Sequence, residues 1–214
     1  LIVLWPFIGA KWVVGQTVYP NILNYSPKSY NSDLFLTSPQ NWGVIQDNLG
    51  RMYFGNTNGV LAFDGLHWQM VKGTEDLRFF KFAKDQNGRI FTGGINELGY
   101  FTADSSGQVI FKSLTKLLPD SIKDFARIYS TVSYKQAIYF RSSEFLFRWD
   151  GTEFKHWKTD SKFRLLFPTE NDLYISQSSG LYKLINDELV LVLDDDKFNE
   201  LEVRGILPLL PKGD

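Results

Sequence analysis

Hydrophobic and polar residues alternate in short runs between Asn41 and Val71, and turn-forming residues separate these runs. The four runs are Val44-Ile45, Met52-Tyr53-Phe54, Val60-Leu61-Ala62-Phe63 and Trp68-Gln69-Met70-Val71. Asn58-Gly59 and Asp64-Gly65 lie between the later runs. Such dipeptides favour tight hairpin turns, because Asn, Asp and Gly tolerate positive φ. The stretch therefore predicts one four-stranded antiparallel meander.

The same pattern recurs along the chain. The aromatic residue of the predicted second strand recurs at intervals of 38, 48 and 35 residues, as Tyr53, Phe91, Tyr139 and Tyr174. The turns before this strand are Asp47-Asn48-Leu49-Gly50, Asp85-Gln86-Asn87-Gly88, Tyr134-Lys135-Gln136 and Glu170-Asn171-Asp172. The turns after the third strand are Asp64-Gly65, Ser106-Gly107, Asp150-Gly151 and Asn186-Asp187. A repeat of about forty residues with four short strands predicts an all-β fold made of β-propeller blades.

The repeat units resemble the propeller repeats of two-component regulators, which form the sensor part of exported regulators in Bacteroidetes-type bacteria. The matching residues in the first unit are Trp42-x-x-x-Gln46-Asp47-x-x-Gly50-x-x-Tyr53-Phe54-Gly55-Asn56, Asn58-Gly59-Val60, Phe63-Asp64-Gly65 and Trp68. Later matches are Gly93-Gly94-Ile95-Asn96-Glu97-Leu98-Gly99-Tyr100, Ile138-Tyr139-Phe140 and Phe147-Arg148-Trp149-Asp150-Gly151, and Asn24-Tyr25-Ser26-Pro27 precedes the first unit. Units three and four depart from the glycine-rich pattern.

The repeats divide the chain into segments. We expect blades at about 40–80, 81–126, 127–161 and 162–200 and the start of another at 201–214, which together make an incomplete ring of four to five blades. The apolar run Leu1–Ala10 is short for a membrane span, so residues 1–15 are predicted to be the remnant of a secretory signal, with 16–39 leading into the first blade. Alternatively, Leu1–Val14 is a strand that closes the propeller.

Composition excludes several classes of function. A net charge of −1 and a pI of about 6.2 provide no basic surface for nucleic acid, so we expect no nucleic-acid contact by this segment. The chain has no cysteine and only two histidines, His67 and His156, each followed by Trp. Both histidines lie on predicted outer strands and face solvent, so we expect neither a metal site nor a cofactor.

Four recurring carboxylates are the candidates for acid and base chemistry: Asp47, Asp64, Asp85 and Asp150. Their repeated position in turns indicates instead that each bonds its own backbone. Gly93-Gly94 lacks the Lys-Ser/Thr of a phosphate loop and is predicted to form a bulged connection after a strand. We therefore expect no catalytic residue in this segment, and the sequence does not identify the ligand-binding residues.

Leu114 to Phe125 interrupts the repeat, and we expect a helical turn there. This insertion either carries binding groups, as loops on rigid scaffolds do, or connects blades by packing Leu117, Leu118 and Ile122 on a blade edge.

The resemblance implies the ligand-sensing propeller of a periplasmic or extracellular, membrane-anchored regulator, whose output domain is a histidine kinase or a helix-turn-helix domain. The implied partners are a glycan or another small molecule and the remaining blades and output domains of the same protein. An exposed blade edge also favours a homodimer. In such a ring, aromatic and Arg side chains on the connecting loops around the axis are expected to contact the ligand. The alternative is part of a carbohydrate-active hydrolase or lyase whose acid and base lie outside this segment.

Overall fold

The computed structural model of the protein describes residues 37–194. The predicted signal remnant (1–15), nearly all of the leading segment (16–39) and the predicted start of a fifth blade (201–214) lie outside the described residues. Within the described range, no helix is long and apolar enough to cross a membrane.

The described residues form sixteen strands in four antiparallel sheets, and the strands of each sheet follow one another in sequence order. The first sheet comprises β1 (Asn41–Gln46), β2 (Met52–Asn56), β3 (Gly59–Phe63) and β4 (Trp68–Met70). The second comprises β5 (Phe79–Lys84), β6 (Ile90–Gly94), β7 (Leu98–Ala103) and β8 (Val109–Ser113). The third comprises β9 (Ser130–Tyr134), β10 (Ala137–Arg141), β11 (Phe145–Trp149) and β12 (Phe154–Lys158). The fourth comprises β13 (Phe163–Pro168), β14 (Leu173–Gln177), β15 (Gly180–Ile185) and β16 (Glu188–Leu193).

The four aromatic residues that define the repeat occupy equivalent positions on second strands. Their register partners on the first strands are Ile45 for Tyr53, Ala83 for Phe91, Val132 for Tyr139 and Phe167 for Tyr174. In each sheet, this partner lies two residues along the first strand from the first register pair that all four sheets have in common. The repeat alignment is therefore confirmed. Helix is scarce, as expected, with only two 3-10 turns in the described part of the chain.

The predicted turns carry the backbone conformations that their residues favour. Gly59 and Gly65 have φ of 145° and 103°, which L side chains rarely adopt. In the fourth sheet, Asn186 and Asp187 take positive φ at both central positions of a two-residue turn, as a primed turn requires. Tight turns of this kind keep the strands of each meander adjacent.

Large apolar side chains fill the spaces between neighbouring sheets. Tyr53, Val60 and Ala62 of the first sheet pack with Phe79, Ile90 and Phe101 of the second. Between the second and third sheets lie Phe91, Leu98, Ile138, Phe140 and Phe147, and between the third and fourth lie Tyr139, Leu146, Phe163, Leu173 and Ile175. Each inner sheet is therefore buried on both faces. The first strands approach one another most closely, β1 to β5, β5 to β9 and β9 to β13, which is the arrangement of blades around an axis.

Glycine permits the close approach of the first two sheets near this axis. A Cβ atom added to Gly55 would lie 2.6 Å from the carbonyl oxygen of Phe79, and one added to Gly43 would lie 2.5 Å from that of Phe80. In the third sheet, an arginine takes the place of the glycine at this close approach. Arg141 occupies the position of Gly55, and its Nη1 donates a 2.7 Å hydrogen bond to the carbonyl of Phe163, the residue equivalent to Phe79.

The insertion contains two 3-10 turns, Thr115–Leu117 and Asp120–Ile122, so the expectation of helical structure is correct. Leu118 and Ile122 are buried between the second and third sheets, as a blade connector requires, and Leu114 and Phe125 join them. Leu117 was predicted to pack there as well, but it is 58% exposed. A 3-10 turn aligns residues three apart, so Thr115 and Leu118 share the buried face and Leu117 does not.

Substitution at the turn glycine Gly65 measures the cost of positive φ alone, because no atom lies within 4 Å of its added Cβ. We expect Gly65→Val to lower the free energy of unfolding by about 1–2 kcal/mol in urea denaturation of the complete propeller domain. Leu66→Ala, at the neighbouring exposed position, is the control and should change stability little. Unchanged stability of Gly65→Val would contradict the assignment of the turn.

Candidate functional site

The recurring carboxylates are held by the turns that contain them. Oδ1 of Asp47 accepts hydrogen bonds from the backbone N–H groups of Leu49 and Arg51, both at 2.9 Å. Asp85 likewise accepts from the backbone N–H groups two and four residues on, whereas Asp64 and Asp150 accept from those two and three residues on. The backbone N–H of His67 holds the pKa of Asp64 below its usual range, and that of Glu153 does the same for Asp150. Asp64 and Asp150 therefore remain ionised, and all four carboxylates act as acceptors that fix turns.

One of these carboxylates also anchors a repeat aromatic. Asp47 Oδ2 accepts a 3.0 Å hydrogen bond from the hydroxyl of Tyr53, which is almost fully buried. Burial raises the pKa of Tyr53 to about 12, and the negative charge of Asp47 adds to this effect. The phenol therefore stays protonated and ties the first turn to the core.

The histidines are exposed, as expected. His156 lies on the outer strand β12, whereas His67 precedes β4 in the turn that Asp64 caps. Among residues 37–194, no group of three or more His, Asp or Glu side chains is placed to hold a metal ion.

The predicted location of Gly93 and Gly94 after a strand is wrong. They are the last two residues of β6, and the irregular pairing lies opposite them in β5, between Phe79 and Lys81. Gly93 provides room for Ile128, since an added Cβ would lie 2.6 Å from Cγ2 of that residue. Gly93 therefore serves packing between blades.

A repeated position on the first strands lies at the start of each strand, near the axis. Gly43, Lys81, Ser130 and Leu165 pair with Gly55, Gly93, Arg141 and Ser176 in the four sheets. The residue immediately before each of these first-strand residues is Trp42, Phe80, Tyr129 or Arg164. Register shifts in β1, β5 and β13 leave Trp42, Phe80 and Arg164 outside the pairing with the second strand. Aromatic residues thus occupy this position in three successive sheets.

Arg127 lies among these three aromatic residues. Its guanidinium carbon is 3.7 Å from the ring centroid of Phe80, 5.2 Å from that of Tyr129 and 5.5 Å from that of Trp42. The Trp42 and Phe80 rings meet edge to face at 5.7 Å. Such distances are those of cation–π contacts. We call Trp42, Phe80, Arg127 and Tyr129 the axial cluster.

Arg141 supports the axial cluster from inside the third blade. Its guanidinium carbon lies 5.1 Å from the Tyr129 ring centroid, and the same ring also contacts Arg127. Arg141 is only 6% exposed, and burial lowers its pKa to about 10, so it remains protonated at neutral pH. Its hydrogen bond to the carbonyl of Phe163 holds it in place, and it thereby fixes the position of Tyr129.

The axial cluster has the composition of a binding surface. Trp42 and Tyr129 are 43% and 44% exposed, although neighbouring aromatic residues such as Phe80 are buried. The Nε atom of Arg127 is buried and has no hydrogen-bond partner. A buried donor without an acceptor costs about 1–3 kcal/mol, which selection tolerates where the group has a functional role. Stacking on the exposed rings and hydrogen bonding to the guanidinium are what this surface offers a ligand.

Clefts open between blades at the opposite end of the sheets, among the turns that join first to second strands. The cleft between the second and third blades measures about 440 Å³ and is lined by residues that include Arg89 and Trp149. The cleft between the third and fourth measures about 720 Å³. In the larger one Asp187 pairs with Lys155 at 3.2 Å and Arg148 at 4.0 Å, so charges within the protein compensate one another. The axial cluster lacks such compensation.

The fold is similar to several solved structures. Virginiamycin B lyase from Staphylococcus aureus aligns over 71% of this chain and 55% of its own, with 12% identity and a TM-score of 0.53. The extracellular domain of a candidate one-component system, BT4673, from B. thetaiotaomicron aligns over 70% of this chain and 21% of its own, with 16% identity and a TM-score of 0.52. The Dos1 propeller aligns over 74% of this chain and 46% of its own, with 14% identity and a TM-score of 0.54.

Neither a protein-family model nor a curated protein matches the sequence. The chain spans about half the length of the lyase and about a fifth of that of the sensor domain. At these identities the similarity concerns the fold alone. Four antiparallel four-stranded sheets, arranged around an axis and similar to known propellers, define the described part of the chain as β-propeller blades.

The two arginines should respond differently to replacement by Met. Arg127→Met removes a buried donor without an acceptor, which favours stability, and also removes the cation–π contacts with the aromatic rings, which opposes it, so we expect the free energy of unfolding to change by less than about 1 kcal/mol. Arg141→Met removes a charged hydrogen bond to a buried carbonyl and should lower the free energy of unfolding by about 1.5–3 kcal/mol. Urea denaturation of the complete propeller domain measures both. A larger loss for Arg127→Met than for Arg141→Met would show that Arg127 serves stability.

Proposed function

We propose that this chain is part of the ligand-sensing β-propeller of a signal-transduction regulator and that the axial cluster contacts the ligand. The observation that carries this proposal is the pair of exposed rings, Trp42 and Tyr129, held beside the guanidinium of Arg127 near the axis. Core packing does not account for large aromatic side chains left 43% and 44% exposed. Sites of this composition suit sugar rings, which stack on aromatic faces through their apolar side.

The fold neighbours support the regulator class. They include extracellular domains of candidate one-component and hybrid two-component systems from B. thetaiotaomicron. The motifs around Trp42 and Tyr53 resemble the repeats of the same class of sensor. In this proposal the segment lies outside the cytoplasmic membrane and is joined to further blades and to an output domain, with a homodimer as the signalling unit.

Signalling in such a protein needs a difference in ligand affinity between two states of the sensor. The axial cluster joins residues of three blades, since Trp42, Phe80 and Tyr129 come from the first, second and third sheets. A ligand that bridges these residues favours one relative arrangement of blades over another. The ligand thereby shifts the population that the output domain detects.

The second candidate function is that of a carbohydrate-active hydrolase or lyase. The fold similarity to virginiamycin B lyase favours the lyase part of this candidate. In this case the acid and base lie in other blades, because the recurrent carboxylates described above are engaged by their own turns. The two functions differ in whether a bound saccharide is converted to products.

Calorimetry of the complete protein against host and plant glycan oligosaccharides, with analysis of products after incubation, tests the proposal. We expect at least one glycan to bind with a Kd below about 1 mM and to be recovered unchanged. Trp42→Ala should weaken binding at least about tenfold, because the sugar ring loses its stacking partner. The 214-residue chain alone should bind more weakly than the complete protein.

Trp68→Ala is the matched control. Trp68 stacks on Phe63 at 4.5 Å in the outer part of the first blade, far along the sheet from the axis, so its loss should leave affinity unchanged. Turnover of the bound glycan would establish the enzyme instead. Equal losses for Trp68→Ala and Trp42→Ala would place the binding site away from the axial cluster.

A further inference from the structure

The positive charge of Arg127 has no counter-charge within the described part of the chain. No ion pair and no hydrogen bond joins its guanidinium to another residue of 37–194, and its Nε is a buried donor without an acceptor. Some cations in these blades do have carboxylate partners. Arg148 and Lys155 pair with Asp187, and Lys183 pairs with Asp172 at 2.8 Å.

The aromatic contacts orient the guanidinium of Arg127 without neutralising it. Phe80 lies 3.7 Å from the guanidinium carbon and covers one side of it, while Trp42 and Tyr129 flank it at 5.5 and 5.2 Å. Aromatic neighbours hold an Arg side chain in place and reduce its contact with water. A planar guanidinium held in this way presents paired N–H donors that match the geometry of a carboxylate or a sulfate.

The two arginines have different roles in this arrangement. Arg141 is buried, and its Nη1 is committed to the carbonyl of Phe163. Its Nε and Nη2 lie 3.4 Å from the hydroxyl of Ser130. Arg141 therefore has little donor capacity left for a ligand and acts by positioning Tyr129, whereas the donors of Arg127 have no protein acceptor.

We propose that the ligand of the axial cluster is an acidic saccharide, whose carboxylate or sulfate is bound by Arg127 while its sugar ring stacks on Trp42 or Tyr129. This inference rests on the proposed function, since it names the ligand class of the same site. A neutral saccharide would leave the charge of Arg127 without a partner in the complex, whereas an anionic group supplies the missing charge and an acceptor for the terminal Nη donors.

The experiment compares acidic tetrasaccharides with neutral counterparts of the same linkage. The acidic probes are oligogalacturonides, alginate oligosaccharides and chondroitin sulfate oligosaccharides. Their counterparts are prepared by reducing carboxylates to alcohols and by removing sulfate. Calorimetry on the complete protein measures Kd for each pair at two salt concentrations. We expect at least one acidic probe to bind about 10- to 100-fold more tightly than its counterpart, with the difference shrinking at higher salt.

Three variants assign the preference to Arg127. Arg127→Met should abolish the difference between acidic and neutral probes, and Arg127→Lys should restore part of it, because Lys keeps the charge but lacks the planar fork. Arg89→Met is the matched control, since Arg89 also lies over an aromatic ring, that of Tyr100 at 4.9 Å, at the turn end of the second blade. Arg89→Met should leave the preference unchanged. Thermal melts of all variants confirm that each is folded.

The outcomes separate this inference from the proposed function. Neutral probes that bind as tightly as acidic ones, with binding lost in Trp42→Ala and kept in Arg127→Met, would overturn the acidic ligand and leave the sensor proposal standing. A preference for acidic probes that survives in Arg127→Met would also overturn the proposal that Arg127 binds the acidic group. Failure of every saccharide to bind would contradict the ligand class and the saccharide-sensing function together.

Discussion

Each four-stranded sheet of this protein has two apolar faces, and a neighbouring sheet must cover each of them. An isolated small sheet leaves at least one face in water and is marginally stable at best. The spaces between sheets are filled by large residues, among them Phe79, Phe140, Phe147 and Phe163, all at most 2% exposed. Full burial of one such side chain contributes about 1.5–3 kcal/mol relative to exposure. Packing between blades, more than any hydrogen bond or ion pair, therefore holds these sheets in place.

This packing also determines what surrounds the axis. First strands approach closely only where small residues or specific hydrogen bonds allow it, and the structure uses Gly55 in the first blade and Arg141 in the third at equivalent positions. The same approach brings Trp42, Phe80 and Tyr129 of successive blades into one cluster. The cluster is thus a consequence of blade geometry, but we expect its exposed rings and Arg127 not to be needed for that geometry. In our proposal, stability and ligand recognition depend on different residues of the same blades.

The fold could be predicted from the sequence because its signals are local. Turn dipeptides such as Asp64-Gly65 reveal their conformation within a few residues, and Tyr53, Phe91, Tyr139 and Tyr174 mark one strand of each unit. The axial position was not identified, although Trp42 belongs to the motif of the first unit. Trp42 and Phe80 each precede the repeat aromatic residue of their blade by 11 residues. Tyr129 precedes Tyr139 by only 10, because the hairpin of the third blade is shorter. No fixed spacing along the chain therefore aligns them.

Arg127 was still harder to predict, because it follows an insertion that has no counterpart in the other units. Its role depends on contacts with two other blades, which only the packed structure reveals. The expectation that aromatic and Arg side chains near the axis form the binding surface stays a prediction, and the axial cluster now gives it specific residues. The mistaken burial of Leu117 has a similar origin, since the phase of a short 3-10 turn is set by packing and not by composition.

Hydrogen–deuterium exchange of the complete protein, with and without an acidic oligosaccharide that binds it, tests most directly whether the axial cluster is the ligand site. The account predicts slower exchange in β1 (Asn41–Gln46) and in residues 126–130, and no change at the opposite end of the second blade, in the turn at residues 85–89. Protection confined to that turn and to the clefts beside it, with residues 41–46 and 126–130 unaffected, would contradict the central claim.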